Sequence, residues 1–144
     1  MEKELIARFD AKRDWIKEEL GKLLEKDKWD CFNVNYEDIV RVAIEAVHNG
    51  YGTPDPKAIH LIDDGDYQGT LLFVIAEDTY QPHDYWYVKV WYGSCSGCDT
   101  LQSILYCSDD KQEQVNDLFT LALHVVQGLK KMDYDYYDYK EDVI

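Results

Sequence analysis

The sequence predicts an α+β domain with element order α-α-β-β-β-α, a three-stranded antiparallel sheet carrying helices on one face. Three observations point there. Apolar residues recur at helical spacing near both ends of the chain, and the middle changes to strand-like patterning. The segments between those strands are too short for parallel crossovers. With 144 residues the chain is the size of one domain. We expect that domain to occupy residues 1–132, followed by an acidic, Tyr-rich tail over 133–144.

Each element has its own warrant. Residues 3–27 read as an amphipathic helix, with Leu5, Ile6, Phe9, Ile16, Leu20, Leu23 and Leu24 near one face and Trp15 off the stripe. Glu4/Arg8 and Glu18/Lys22 are favourable i,i+4 pairs. A second helix is predicted over 36–49, capped by Asn35 and ended by Gly50, with Ile39, Val40, Ala43, Ala46 and Val47 as its stripe. Pro54 and Pro56 mark a break, after which Ala58 to Asp63 is a short strand and Asp64-Gly65-Asp66 a turn. Thr70 to Glu77 is a continuous apolar run suited to a central strand. Tyr85 to Tyr92, aromatic and β-branched, is the third strand. Asp99 to Leu105 is helix-like, and a last helix spans about 110–132, with Val115, Leu118, Ala122, Val125 and Leu129 on one side.

Charge divides the chain. Fifteen Lys and Arg against 29 Asp and Glu give a formal net charge of −14. Residues 1–28 balance eight bases with eight acids, so the whole excess lies beyond them. Between Asp63 and Asp117 there are eleven acids and two bases, Lys89 and Lys111. This sign excludes ordinary nucleic-acid binding, which needs cationic neutralisation of phosphate, and disfavours an anionic membrane surface. An aromatic content of 14% argues against disorder. No apolar stretch has the length of a membrane span, and the charged start Met1-Glu2-Lys3-Glu4 predicts no secretory signal. Either the acids keep a domain soluble, or they form a face that docks on a basic groove. In the docking reading the candidates are Asp63, Asp64, Asp66, Glu77, Asp78, Asp84, Asp109 and Asp110.

Cys95 and Cys98 form a C-x-x-C pair directly after the third strand, within G-S-C-S-G-C-D-T-L-Q. Two thiolates at this spacing supply half of a tetrahedral Zn²⁺ site, with Gly97 letting the backbone turn. Cys107 and His124 are the candidate remaining ligands, although a continuous helix after Asp99 would carry Cys107 roughly 13 Å away from Cys98. A thioredoxin-like redox pair is the alternative. Against it, no βαβ unit precedes the motif, and Pro54, Pro56 and Pro82 all come before it. An unmetallated structural pair is the third reading.

The third strand puts Trp86, Val88, Val90 and Tyr92 on one face and Tyr85, Tyr87, Lys89 and Trp91 on the other, and one face must be core. No phosphate loop, nucleophile elbow or H-E-x-x-H motif is present, so we expect a protein that is not an enzyme.

The stretch W-Y-G-S-C-S-G-C-D-T-L-Q, with the later L-F-T-L-A-L-H-V-V-Q, resembles small proteins carried by bacteriophages of Gram-positive bacteria. It also resembles small metal-binding anti-CRISPR proteins that inhibit type II Cas9. The likeness is strongest over residues 84–130. It implies a phage protein acting in the cytoplasm of the infected bacterial host, with Cys95 and Cys98 as metal ligands and His124 in the matching helix segment. The implied partner is Cas9, kept from loading nucleic acid. A thiol–disulfide protein and a phage accessory or assembly protein are the alternatives.

Overall fold

The structure, a computed structural model, describes residues 2–26, 34–65, 69–93, 99–106 and 109–132. In these residues the chain forms α1 (Glu2–Ala11), α2 (Arg13–Lys26), α3 (Tyr36–Val47), β1 (Pro54–Gly65), β2 (Gly69–Glu77), β3 (Tyr85–Tyr92), α4 (Thr100–Tyr106), α5 (Lys111–Gly128) and β4 (Lys130–Lys131). The α+β class is as expected, with a four-stranded sheet in place of three strands, antiparallel throughout and ordered β1-β2-β3-β4.

The first predicted helix is divided by a single residue, Lys12. Its amide bonds back to Phe9 O at 3.1 Å, and its carbonyl accepts Ile16 N at 2.9 Å to start the next helix. Leu5 and Phe9 on one side of this turn, and Ile16 and Leu20 on the other, are all buried. Phe9 meets Phe119 of α5 with ring centroids 5.1 Å apart.

Asn35 caps α3 as predicted. Its side chain accepts Asp38 N at 3.0 Å, while Asp38 Oδ2 accepts Asn35 N at 3.2 Å, so two orphan amides are satisfied reciprocally. The helix ends at Val47, earlier than expected, and His48 is its C-cap. Gly50, at φ +78°, serves the following turn instead, where its carbonyl accepts the Thr53 hydroxyl at 2.6 Å.

The two prolines do not break β1; the strand begins at Pro54. It is an edge strand, where a missing N–H costs no ladder bond, and its register with β2 shifts between Pro54 and Ile59. At the other edge, α5 stops at Gly128, short of the predicted end, and Leu129 becomes a buried C-cap. The next two residues pair with Trp86 and Tyr87, which gives β3 a second neighbour at its beginning.

Burial settles which sheet face is core. Ile75 and Phe73 stand opposite Trp86 and Val88, and all four are buried under the helices. On the other face His60 and Lys89 are exposed, as are Ile62 at 54% and Trp91 at 53%. Among the described residues no helix is long and apolar enough to cross a membrane.

Candidate functional site

The sheet has two chemically different ends. At the first end lie the end of β1, the start of β2, the end of β3, α4 and the start of α3. The second end holds the β2–β3 connection, β4 and the end of α5. The register separates the two: Asp63 pairs with Leu71, six residues before Glu77, or about 20 Å of strand.

Asp99 organises the first end. It is buried, with only 3% exposure, and three donors to its carboxylate compensate that burial. Oδ2 accepts Gly93 N at 2.8 Å, and Oδ1 accepts Tyr36 OH at 2.9 Å and Gln102 N at 2.9 Å. The Gly93 bond draws together the two ends of segment 93–99. The Gln102 bond satisfies an amide in the first turn of α4, and Ser103 N bonds to Asp99 O at 2.9 Å. Tyr36, the first residue of α3, accepts Leu101 N at 3.1 Å on the same hydroxyl. One phenol and one carboxylate thus lock α3, α4 and the end of β3 together.

Burial raises the Tyr36 pKa well above the ordinary phenol range. The Leu101 amide opposes that rise, while the hydrogen bond to Asp99 and the Asp99 charge add to it. The hydroxyl therefore remains a donor to Asp99 through neutral and moderately alkaline pH.

Beside this network is a cleft of about 540 Å³. Leu61, Leu71, Leu101 and Leu105 supply apolar wall, and Tyr36 and Asp99 form part of its lining. Two further carboxylates, Glu37 and Asp63, also line it and are themselves exposed. Asp63 Oδ1 accepts the Tyr92 hydroxyl at 2.8 Å. Among the described residues no Lys, Arg or His lines the cleft.

The eight acids predicted as one docking surface divide between the ends. Asp63, Asp109 and Asp110 belong to the first, as does Asp64, whose backbone pairs with Thr70. Asp109 is exposed, whereas Asp110 caps α5 by accepting Gln112 N at 3.0 Å. Glu77, Asp78 and Asp84 lie at the second end, where Asp78 and Asp84 each have a nitrogen partner. Asp78 Oδ2 is 2.7 Å from His48 Nε2, and Asp84 Oδ2 is 3.1 Å from Lys131 Nζ. Glu77 Oε1 accepts His83 N at 3.4 Å. Asp66 lies outside the described residues.

Cys95, Cys98 and Cys107, like Cys31 and the tail over 133–144, also lie outside the described residues. His124 is exposed on α5, fourteen residues and so about 21 Å of helix beyond Asp110. It is therefore near the far end of α5 from α4. Among the described residues no group of three or more His, Cys, Asp or Glu could hold a metal ion.

Asp99, Tyr36 and Glu37 are the residues of this end that sequence reasoning missed. Asp99-Thr100-Leu101-Gln102 follows the pattern of a helix N-terminus, an acidic cap with Gln three residues later, and that signal could have singled out Asp99. Nothing local in the sequence joins it to Tyr36, 63 residues away. No protein family, no curated protein and no solved structure matches the chain.

Proposed function

We propose that the protein is a non-enzymatic inhibitor that presents its cysteine-segment end to a basic surface of a host nuclease and blocks nucleic-acid loading. Cas9 is the nuclease to which the phage-protein resemblance points. One observation carries the reading: Glu37, Asp63 and Asp109 stand at one end of the sheet, and none forms an ion pair among the described residues. Carboxylates without an internal counter-charge project their field outward, steer a basic partner and compete for cations that would otherwise meet phosphate.

Zinc on Cys95 and Cys98, with Cys107 as a further donor, belongs to the same proposal. The 2.8 Å bond between Gly93 and Asp99 supports it, because it brings together the two ends of the segment that carries the pair. A metal bound there would crosslink the segment. His124, exposed on α5, is the other candidate donor.

The test is Cas9 loading onto target DNA, measured with increasing protein over a salt series. Inhibition that is strong at low salt and fades at high salt is expected. Replacing Glu37, Asp63 and Asp109 by their amides should weaken it more than replacing Asp78 and Asp84. No inhibition at any salt concentration refutes the proposal.

A further inference from the structure

We infer that the cleft beside Asp99 is a binding site for a small organic ammonium ion carrying an aromatic or branched aliphatic body. Such binding is a property of the free protein, needs no nuclease and stands apart from the docking proposal.

The cleft combines features that two other hollows of the molecule lack. At about 540 Å³ it is within the size range of small-molecule sites, roughly 300–1,000 Å³. The cleft of about 520 Å³ between α2 and α5 is similar in size, but Lys17, Lys22 and Lys111 line it together with Glu18 and Glu25, so it mixes charges of both signs. A smaller hollow of about 380 Å³ behind Phe9 and Phe119 is bordered by Lys3, Arg13 and Asp10. Beside Asp99, leucine walls meet carboxylates without a base among the described residues.

Each part of the site selects one part of a ligand. Leu61, Leu71, Leu101 and Leu105 leave apolar surface that water solvates poorly, and an uncharged ring or branched chain covers it favourably. Asp63 uses one oxygen for Tyr92 and keeps the other, and Glu37 stands exposed at the same cleft. Asp99 has already accepted three hydrogen bonds and contributes field more than a contact. An anion would be repelled, and a neutral apolar molecule would leave the carboxylates without a counter-charge. A strongly hydrated polyamine would leave the leucine wall uncovered. A cation with an apolar body answers both, because low-dielectric walls strengthen its attraction to the acids.

The experiment is an amide-resolved NMR titration of the full chain with phenethylamine as the probe. Two controls separate its halves: 2-phenylethanol has the body without the charge, and spermidine has charge without the body. Saturable shifts at Gly93, Leu101, Gln102 and Leu105 are expected, with phenethylamine binding about tenfold or more tighter than 2-phenylethanol. The double variant Glu37→Gln/Asp63→Asn should lose most of that advantage, and both positions are exposed, so folding is preserved. Leu105→Trp, which fills the cleft without touching its charge, should abolish binding of amine and alcohol alike. Three results would each overturn the inference: equal affinity for the alcohol, an unchanged affinity in the double variant, or spermidine-like shifts scattered to the Asp78 and Asp84 end.

Discussion

Replacing Tyr36 by Phe removes one oxygen and leaves the ring in the core, so it probes the Asp99 network with little change of packing. Two interactions go. The hydrogen bond from the phenol to Asp99, 2.9 Å and directed at a carboxylate, is of a kind that contributes about 1.5–3 kcal/mol. The Leu101 amide loses its acceptor at 3.1 Å, and a buried unsatisfied donor costs about 1–3 kcal/mol. Tyr36 lines the cleft, so water can reach part of the vacated position and the sum is smaller than the two maxima. A loss of about 2–4 kcal/mol is expected, which is a large share of a typical domain stability of about 5–15 kcal/mol. Urea denaturation measures it as a shift in midpoint at constant slope. Tyr51→Phe, at a residue 82% exposed, is the control and should change nothing. The same pair of proteins carries a pH signature. Folding raises the Tyr36 pKa, so above the unfolded value of about 10 the unfolded chain loses this proton while the folded chain keeps it. The unfolded state then binds fewer protons, and stability falls as pH rises, by up to about 1.4 kcal/mol per unit for this one group. The phenyl ring of the variant cannot titrate, so the gap between the two proteins is complete below about pH 10 and narrows above it. A midpoint shift no larger than that of Tyr51→Phe, or a gap that stays constant to about pH 11, would refute the assignment of Tyr36 as the clasp.

Further outcomes test the scaffold. Gly21→Ala should stabilise by about 0.5–1 kcal/mol, because a Cβ in α2 would meet Lys111 Cε at 3.9 Å and Val115 Cγ2 at 4.0 Å, both ordinary contacts. Gly52→Ala should cost about 1–2 kcal/mol by the same denaturation assay: nothing crowds its Cβ, but its φ of +86° is strained for an L side chain. Phe73→Ala removes a fully buried ring from the centre of the sheet and should cost about 3–5 kcal/mol in chemical denaturation.

What could be read from the sequence follows from the range of the forces involved. Tyr85–Tyr92 was predictable to the residue and Gly69–Glu77 to within one, because side-chain alternation or a continuous apolar run is local information. The Asn35 capping box is equally local, confined to four residues. The ends that differ depend on partners. Pro54 and Pro56 signal a break unless the strand containing them is known to be an edge. Lys130 and Lys131 carry no strand signal of their own; they pair because β3 has an edge to offer where α5 ends. The cysteine segment was visible as a motif, whereas the residues that hold its ends required the fold. Tyr36 opens a helix, Asp99 follows a cysteine 63 residues later, and only the tertiary fold brings their oxygens within 2.9 Å.

The same geometry changes the meaning of the charge. A count of −14 treats every carboxylate alike. At the second end of the sheet, His48 and Lys131 sit against Asp78 and Asp84, and Lys131 also lies 5.8 Å over the Trp86 ring. Those acids fix the β2–β3 connection to the end of α3 and to β4, and Lys131 partly cancels the field of Asp84 inside the molecule. At the first end, Glu37, Asp63 and Asp109 have no ion pair among the described residues, and Asp63 accepts its hydrogen bond from a neutral phenol. A neutral donor fixes the geometry of a carboxylate without cancelling its charge. Around the cleft the charges of Glu37 and Asp63 are therefore left without a counter-charge among the described residues, and salt should weaken cation binding there.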